Sequence, residues 1–239
     1  MTLDPATLAV DLDRLEEVEK ASLRLVVQAI NDFRVDAADI FARESDLVQD
    51  IGEDITREAM DRMGTSAIIG RLSGKSDYKR ARYVFHPDYS LRQALFVDSK
   101  VETAAAAGVA RIQITQTSMS VRLPKSGVDI AVAGTLSPTV NVNGETLLTT
   151  TIFVKYNYQT NAVEEKQLAS ISLIALPNGM LQGRYNPTAA DRIWNVGPDA
   201  PSLGEKFRAR INLSMLSAKA SWRVQRIAIL PAPSHVWVP

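Results

Sequence analysis

The sequence predicts a mixed α/β or α+β fold, on the basis of three observations. From Asp11 to about Met63 the apolar residues recur at helical spacing, which predicts two or three helices. After Gly64, short runs of Val, Ile, Phe and Tyr alternate with turn residues, as is typical of a β-sheet. The C-terminal half shows little helical periodicity, so helices precede most of the sheet along the chain.

Apolar runs bounded by turn residues define the individual strands. They are predicted at 79–85, 93–101, 110–121, 146–158, 167–176, 207–216 and 221–230. The alanine-rich stretch 103–108 is expected to be a short helix or a loop, and 177–201, rich in Gly and Pro, an irregular connection.

Composition excludes several classes of site. The 239 residues include no cysteine and only His86 and His235, which excludes disulfide scaffolds, cysteine-ligated zinc and thiol nucleophiles. The two histidines remain as possible imidazole ligands, so mainly carboxylates must hold any essential metal, which favours hard cations such as Mg²⁺. No stretch approaches the roughly 20 apolar residues of a membrane span, and the first residues carry acids rather than bases. We expect a soluble, cytoplasmic protein with no membrane partner.

The charges are divided unequally along the chain. Residues 1–62 contain sixteen acidic and seven basic residues, net −9, and residues 63–239 contain eleven acidic and twenty basic residues, net +9. Such asymmetry is typical of an anion-binding face, and equally of a well-solvated helical layer. Both interpretations stay open at this point.

The tripeptide Asp98-Ser99-Lys100 follows the apolar run 94–97. Because side chains alternate along a strand, Asp98 and Lys100 share a face, about 6.5 Å apart along the backbone. A carboxylate there can hold a divalent cation, and the ammonium can stabilise a pentavalent phosphorane or orient an attacking water. The acid-x-Lys pattern also occurs at 77–79 and 164–166, but only Asp98 follows an apolar run. The alternative is an ordinary surface ion pair at a strand end.

A metal site needs a second acid, and the candidates are Asp77 and Asp88. If 79–85 and 93–101 form a hairpin through 86–89, pairing centred near residue 88 places Asp77 opposite Ser99 and beside Asp98. Asp88 then lies in the turn, roughly 30 Å along the strand from Asp98. Geometry therefore favours Asp77, and Pro87-Asp88 is interpreted as a turn.

The residues around these acids resemble a known family of nucleases. An acid ahead of a hairpin and an apolar strand ending in Asp-x-Lys are similar to the PD-(D/E)XK nucleases. From about residue 10 to about residue 230 the sequence resembles the SfiI family of type II restriction endonucleases, which is related to BglI. The segments that carry the resemblance are SDYKRARYVFHPDY, ALFVDSK, QTSMS, LTTTIFVKYNY, ALPNG, YNPT, IW and SWRVQRI.

The resemblance implies a restriction-endonuclease-like fold, with a central mixed β-sheet flanked by helices. It also implies a Mg²⁺-dependent homo-oligomer, a dimer or a homotetramer, that cleaves double-stranded DNA at a GC-rich interrupted palindrome. On the matching positions the catalytic residues fall on Asp77, Asp98 and Lys100, with the two acids as metal ligands. Some of these enzymes add a glutamate from a helix, for which Glu58 is our candidate; a solvated acidic helix face is the alternative.

DNA recognition is predicted to use the basic C-terminal strands, because Arg and Lys read guanine in the major groove. One group of candidates lies on the basic face of an expected C-terminal hairpin: Arg208, Arg210, Lys219, Arg223 and Arg226. A second group lies in a polar run earlier in the chain: Gln116, Ser118 and Arg122. Solvated strand faces are the alternative.

These expectations amount to one domain over residues 1–239: a helical layer at 1–63, a catalytic sheet at 64–122, and a β-rich region for recognition and assembly at 123–239. Two other hypotheses remain. One is a structure-selective repair or recombination nuclease of the same fold, and the other is a non-catalytic assembly or binding protein.

Overall fold

Helices at the N-terminal end of the chain pack on one face of a central mixed sheet. The computed structural model describes residues 2–44, 48–64, 66–67, 81–162, 165–196 and 208–239. The helices are α1 (Leu12–Asp32), α2 (Arg34–Arg43), α3 (Val48–Arg62), α4 (Gln182–Tyr185) and α5 (Leu213–Lys219). The strands are β1 (Ser66–Ala67), β2 (Ala81–His86), β3 (Leu91–Thr103), β4 (Val109–Gln113), β5 (Val121–Lys125), β6 (Val128–Val132), β7 (Thr139–Val142), β8 (Glu145–Thr160), β9 (Lys166–Leu176), β10 (Trp194–Val196), β11 (Arg208–Asn212), β12 (Val224–Ala228) and β13 (Ser234–His235).

The central sheet has the strand order β1-β2-β3-β8-β9-β12-β13, and β7 pairs with the start of β8. β3 and β8 are parallel, with Gln93 opposite Leu148 and Thr103 opposite Tyr158, whereas the other neighbours are antiparallel. A small sheet has the order β10-β11-β4, and β5 pairs with β6. The predicted mixed α/β fold with a central mixed sheet is therefore confirmed.

The core lies on both faces of the central sheet. On one face, apolar residues of α1, α2 and α3 pack against alternate residues of β3, β8 and β9, among them Leu95, Val97 and Ile152. On the other face, Phe153 and Ile174 pack against the buried side of the small sheet. Parallel strands need cover on both faces. Here the helices supply one cover, and the other is supplied by the small sheet together with the cluster around Leu136 and Val140, which packs on Ala94 and Phe96.

A buried polar network joins α1 to the central strands. Ser22 Oγ lies 2.9 Å from Gln93 Oε1 on β3, and His86 Nε2 lies 3.1 Å from the same oxygen. Gln93 Nε2 in turn donates to Thr150 on β8 at 2.5 Å. Burial lowers the pKa of His86, which favours a neutral ring within this network.

A second buried contact joins α1 to the C-terminal strands. Arg223 donates to Glu19 with 2.7 Å between Nη2 and Oε2, and both side chains are wholly buried. The guanidinium carbon lies 4.3 Å from the ring centroids of both Tyr185 and Trp222. Asn178 donates its backbone N–H to the other oxygen of Glu19 at 2.8 Å, so both carboxylate oxygens have partners.

The predicted strands 93–101, 146–158 and 167–176 are confirmed as β3, β8 and β9, and β2 covers the described part of 79–85. The prediction for 110–121 is wrong in its middle, because Gln113 and Gln116 form a capping box that starts a short 3-10 helix after β4. The stretch 103–108 contains a 3-10 helix at 104–106. The described part of 177–201 holds short helical turns and β10.

The prediction for 207–216 is wrong beyond Asn212. The Asn212 side chain accepts a hydrogen bond from Met215 N at 3.2 Å and so begins α5. β11 and β12 also lie in different sheets, so the expected basic hairpin is absent from the described chain. No helix in the described ranges combines the length and apolar character needed to cross a membrane.

Gly52 marks the place where α3 comes closest to β3. A Cβ at this position would lie 2.5 Å from Val101 Cγ2 and 3.1 Å from Tyr156 Cδ2. The side chain of Val101 is stiff because it is β-branched, so it cannot turn away at low cost. Glycine is therefore required here by packing.

We predict that Gly52→Ala lowers the free energy of unfolding, measured by urea denaturation. Overpacking costs about 1–3 kcal/mol, and the higher helix propensity of alanine offsets about 1 kcal/mol. Gly183→Ala in α4 is the matched control, because a Cβ there meets nothing within 4 Å. A Gly52→Ala variant as stable as Gly183→Ala would contradict the close packing.

Candidate functional site

Asp98 and Lys100 lie side by side on β3, on the face opposite the helices. Lys100 Nζ is 2.6 Å from Asp98 Oδ2, and the side chains are 24% and 31% exposed. Lys100 Nζ also lies 5.6 Å from the ring centroid of Phe153 on β8. The shared face predicted from strand alternation is therefore observed.

The carboxylate of Asp98 suits a hard divalent cation. Its Oδ2 atom is buried and pairs with the Lys100 ammonium, and it accepts no other hydrogen bond from the described residues. A buried carboxylate oxygen with an unused lone pair is a ready ligand for a cation such as Mg²⁺. Within the described ranges no three His, Asp or Glu residues cluster as metal ligands.

The second predicted acid, Asp77, lies outside the described residues. The hairpin of β2 and β3 pairs Ala81 with Phe96 and His86 with Leu91, close to the predicted centre near residue 88. Asp88 lies in the 3-10 turn 87–89 at the hairpin tip, as predicted. Asp88 is therefore far along the strand from Asp98 and is not its partner.

Glu58 lies on α3 with its side chain 56% exposed and accepts from Arg62 Nε at 3.1 Å. This placement agrees with the solvated-face alternative. The same helix approaches β3 through Thr56, which sequence reasoning missed. Ser99 donates to Thr56 with 2.7 Å between the hydroxyl oxygens.

Lys155 on β8 is a second lysine beside the site. It lies opposite Lys100 in the parallel ladder, is wholly buried, and has its Nζ 2.8 Å from Glu102 Oε2. It also donates to the carbonyls of Ala106 and Val109. Burial lowers the pKa of Lys155, and the contact with Glu102 opposes that shift. Lys155 thus ties the end of β3 to the start of β4.

Two predicted DNA contacts are wrong because their side chains are buried. Arg223 is wholly buried against Glu19 and two aromatic rings, so its guanidinium cannot reach a base or a phosphate. Gln116 is 6% exposed, and its side-chain oxygen accepts from Gln113 N at 2.8 Å. Both residues are structural.

Three further candidates are engaged within the chain. Ser118 Oγ accepts from Gly179 N at 2.7 Å, Arg122 donates to the Pro187 carbonyl, and Lys219 Nζ lies 2.6 Å from Asp191 Oδ1. A DNA contact from any of them would compete with an existing bond. Their sequence context gave no sign of these partners, which lie 28 to 65 residues away.

The remaining candidates lie on β11 and β12. On β11, Arg208 is paired with Gln113 through the backbone, and Arg210 stands opposite Arg111 on β4 and Asn195 on β10. The alternate residues Ala209 and Ile211 are buried, so Arg210 occupies the face turned away from the core, as strand alternation predicts.

Arg226 is exposed on β12, in register through Ser172 and Lys155 with Lys100. It therefore shares the sheet face of Asp98 and Lys100. Arg111, which sequence reasoning missed, is 54% exposed and has its Nε 3.7 Å from Glu102 Oε1. Strand alternation could have identified Arg111, because this base alternates with apolar residues on β4.

We predict stability effects of different size for the two neighbouring lysines. Lys155→Met leaves the Glu102 carboxylate and two carbonyls without their buried partner, which costs about 3–5 kcal/mol. Lys100→Met removes a partly exposed ion pair and changes stability by about 1 kcal/mol or less. Urea unfolding followed by circular dichroism measures both, and equal losses would contradict the structural role of Lys155.

Comparison with known proteins agrees with this architecture. The family described as type II restriction enzyme SfiI matches residues 24–227. The SfiI enzyme of Streptomyces fimbriatus is 32% identical over 228 residues, which are 90% of this chain and 85% of that protein.

Two solved structures share the fold. The tetrameric restriction endonuclease SfiI bound to cognate DNA superposes with a TM-score of 0.77 at 31% identity, covering 91% of this chain and 85% of that one. BglI bound to its DNA recognition sequence gives a TM-score of 0.75 at 15% identity over 94% of each chain, a likeness of fold alone. From its sequence match and its fold together, this chain belongs to the SfiI family of type II restriction enzymes.

Proposed function

We propose that this chain hydrolyses phosphodiester bonds of double-stranded DNA at a specific, GC-rich interrupted palindrome, with Mg²⁺ as cofactor. The observation that carries the proposal is the Asp98 and Lys100 pair on the partly covered end of a central strand. An acid with a buried oxygen, beside a cation, suits metal-assisted attack on a phosphate.

The roles of the side chains follow from their chemistry. Asp98, together with Asp77, would hold the metal ion through hard carboxylate oxygens. A bound Mg²⁺ supplies charge neutralisation at the phosphate and a more acidic water. Lys100 supplies an ammonium that stabilises the negative charge developing on the phosphorane or orients the attacking water.

The DNA-contacting surface in this proposal is the outer face of the small sheet. Asn195, Arg210 and Arg111 form one row across β10, β11 and β4. Like charges directly opposite each other destabilise a sheet, and an anion between Arg210 and Arg111 relieves that repulsion. Arg210 Nε is buried without a hydrogen-bond partner among the described residues, and Arg111 is near Glu102 on β3. Arg226 is a further exposed base, on β12 of the central sheet, and Arg208 stays a candidate from its sequence alone.

A palindrome presents two equal half-sites, so we propose a homo-oligomer with two-fold symmetry. The tetrameric assembly named for the solved SfiI structure makes a homotetramer the form to test first. Arginine donors suit guanine, which agrees with a GC-rich site. A DNA endonuclease acts where DNA is held, so we place it in the cytoplasm as part of a restriction-modification system.

Asp98→Ala is predicted to abolish DNA cleavage, and Asp88→Ala to leave it unchanged. Both remove one carboxylate from the same hairpin, but only Asp98 lies beside Lys100, whereas Asp88 lies in the turn. The purified proteins are incubated with a sequence-diverse plasmid, with Mg²⁺ or with EDTA, and the cut ends are sequenced.

Discrete fragments that require Mg²⁺ and are absent for Asp98→Ala would support the proposal and give the recognition sequence. Diffuse nicking would favour a structure-selective nuclease. Cleavage in EDTA, or an Asp98→Ala variant that cuts as the wild type does, would contradict the assigned centre.

Arg210→Ala is predicted to weaken DNA binding and to reduce its salt dependence. Loss of one phosphate contact lowers the slope of log K against log salt concentration by about 1. Arg43→Ala is the control, because it removes the same charge from a different place. Arg43 lies on α2, and its side chain is 80% exposed. Fluorescence anisotropy with a duplex carrying the cut site measures both slopes, and equal slopes would exclude Arg210 from the phosphate-contacting surface.

A further inference from the structure

Thr56 on α3 lies at a three-way hydrogen-bond junction behind the candidate site. Its hydroxyl is 2.9 Å from the carbonyl of Gly52, 2.7 Å from Ser99 Oγ on β3 and 2.8 Å from the hydroxyl of Tyr156 on β8. Thr56 is 4% exposed and Tyr156 is wholly buried. One side chain therefore joins a helix to the two parallel central strands.

The direction of each bond follows from the number of protons. A carbonyl only accepts, so Thr56 donates its single proton to Gly52. Its two lone pairs then accept from Ser99 and from Tyr156. Burial raises the pKa of Tyr156, so this hydroxyl keeps its proton as a donor. The hydrogen-bonding capacity of Thr56 is fully used.

Ser99 is the residue between Asp98 and Lys100, and its side chain leaves the strand on the opposite face. A rotation of β3 about its own axis at this point would move the two functional side chains together. The bond to Thr56 resists that rotation because α3 is held close by the contact of Gly52 with Val101. Ser99 on one face of β3 is thus coupled through the β3 backbone to Asp98 and Lys100 on the other face.

We propose that Thr56 is a positioning residue for the hydrolytic centre, which it orients from behind through Ser99. This inference rests on the proposed function and adds a residue that neither the acid-x-Lys pattern nor the acidic candidate Glu58 on α3 would indicate. The contribution of α3 to the site is the hydroxyl of Thr56, and the carboxylate of Glu58 is occupied with Arg62 at the surface.

The test compares Thr56→Val, Thr56→Ser and the wild type in two measurements. Steady-state cleavage of a duplex carrying the mapped site gives kcat and KM. Titration with Mn²⁺, followed by electron paramagnetic resonance in the absence of DNA, gives metal affinity without reference to activity.

Thr56→Val keeps the shape of the side chain and removes all three bonds. We expect kcat to fall by about 10- to 100-fold, Mn²⁺ affinity to weaken, and KM for DNA to stay unchanged. Thr56→Ser keeps the hydroxyl and should restore both kcat and Mn²⁺ affinity.

Ser22→Ala is the matched control for a purely structural effect. It also removes a buried helix hydroxyl bonded to β3, but at Gln93, six residues before Ser99. We expect it to lose stability as Thr56→Val does and to keep wild-type kcat. If Thr56→Val does not fold, Ser99→Ala removes only the bond to β3 and takes its place.

Wild-type kcat and Mn²⁺ affinity in Thr56→Val, or an equal loss of kcat in Ser22→Ala, would overturn the inference. A wild type that binds Mn²⁺ but cuts no DNA would contradict the proposed function, and the Mn²⁺ comparison would still decide the role of Thr56. A wild type that binds no Mn²⁺ would contradict both.

Discussion

The parallel ladder between β3 and β8 is the constraint on which the rest of the fold depends. A parallel pair must be covered on both faces, and the pair runs from Gln93 to Thr103 without interruption. The helices cover one face, and the small sheet and the cluster around Leu136 and Val140 cover the other. Along β3 every residue from Gln93 to Val97 is buried, and the cover becomes partial from Asp98 to Glu102. The polar side chains of the candidate site begin where the cover becomes incomplete, so packing and chemistry change at the same residue.

Two lysines of the same sheet row show how environment assigns a role. Lys100 is partly exposed and has one acidic neighbour, whereas Lys155 is wholly buried and has one carboxylate and two carbonyls. The ammonium of Lys100 remains accessible to a phosphate. The ammonium of Lys155 is fully engaged in bonds that join β3 to β4. Since β4 pairs with β11, the buried lysine also links the candidate site to the sheet proposed to contact DNA.

The sequence predicts the parts of this molecule that depend on local periodicity. The helical layer, the central strands and the shared face of Asp98 and Lys100 all follow from alternation and helical spacing. The errors fall where one polar side chain ends a strand: Gln116 closes a capping box after β4, and Asn212 caps α5. The junction at Thr56 and the burial of Arg223 join residues 43 and 204 positions apart, and no local pattern signals such a contact.

The pairing of Glu19 with Arg223 has a consequence for how the chain is made. Glu19 leaves the ribosome long before Arg223, because 204 residues separate them. Until Arg223 arrives, docking α1 would bury an unpaired carboxylate, which is strongly unfavourable. The buried pairing of α1 with the strands around Arg223 therefore forms only after Arg223 has been synthesised, and a chain that stops before β12 lacks it.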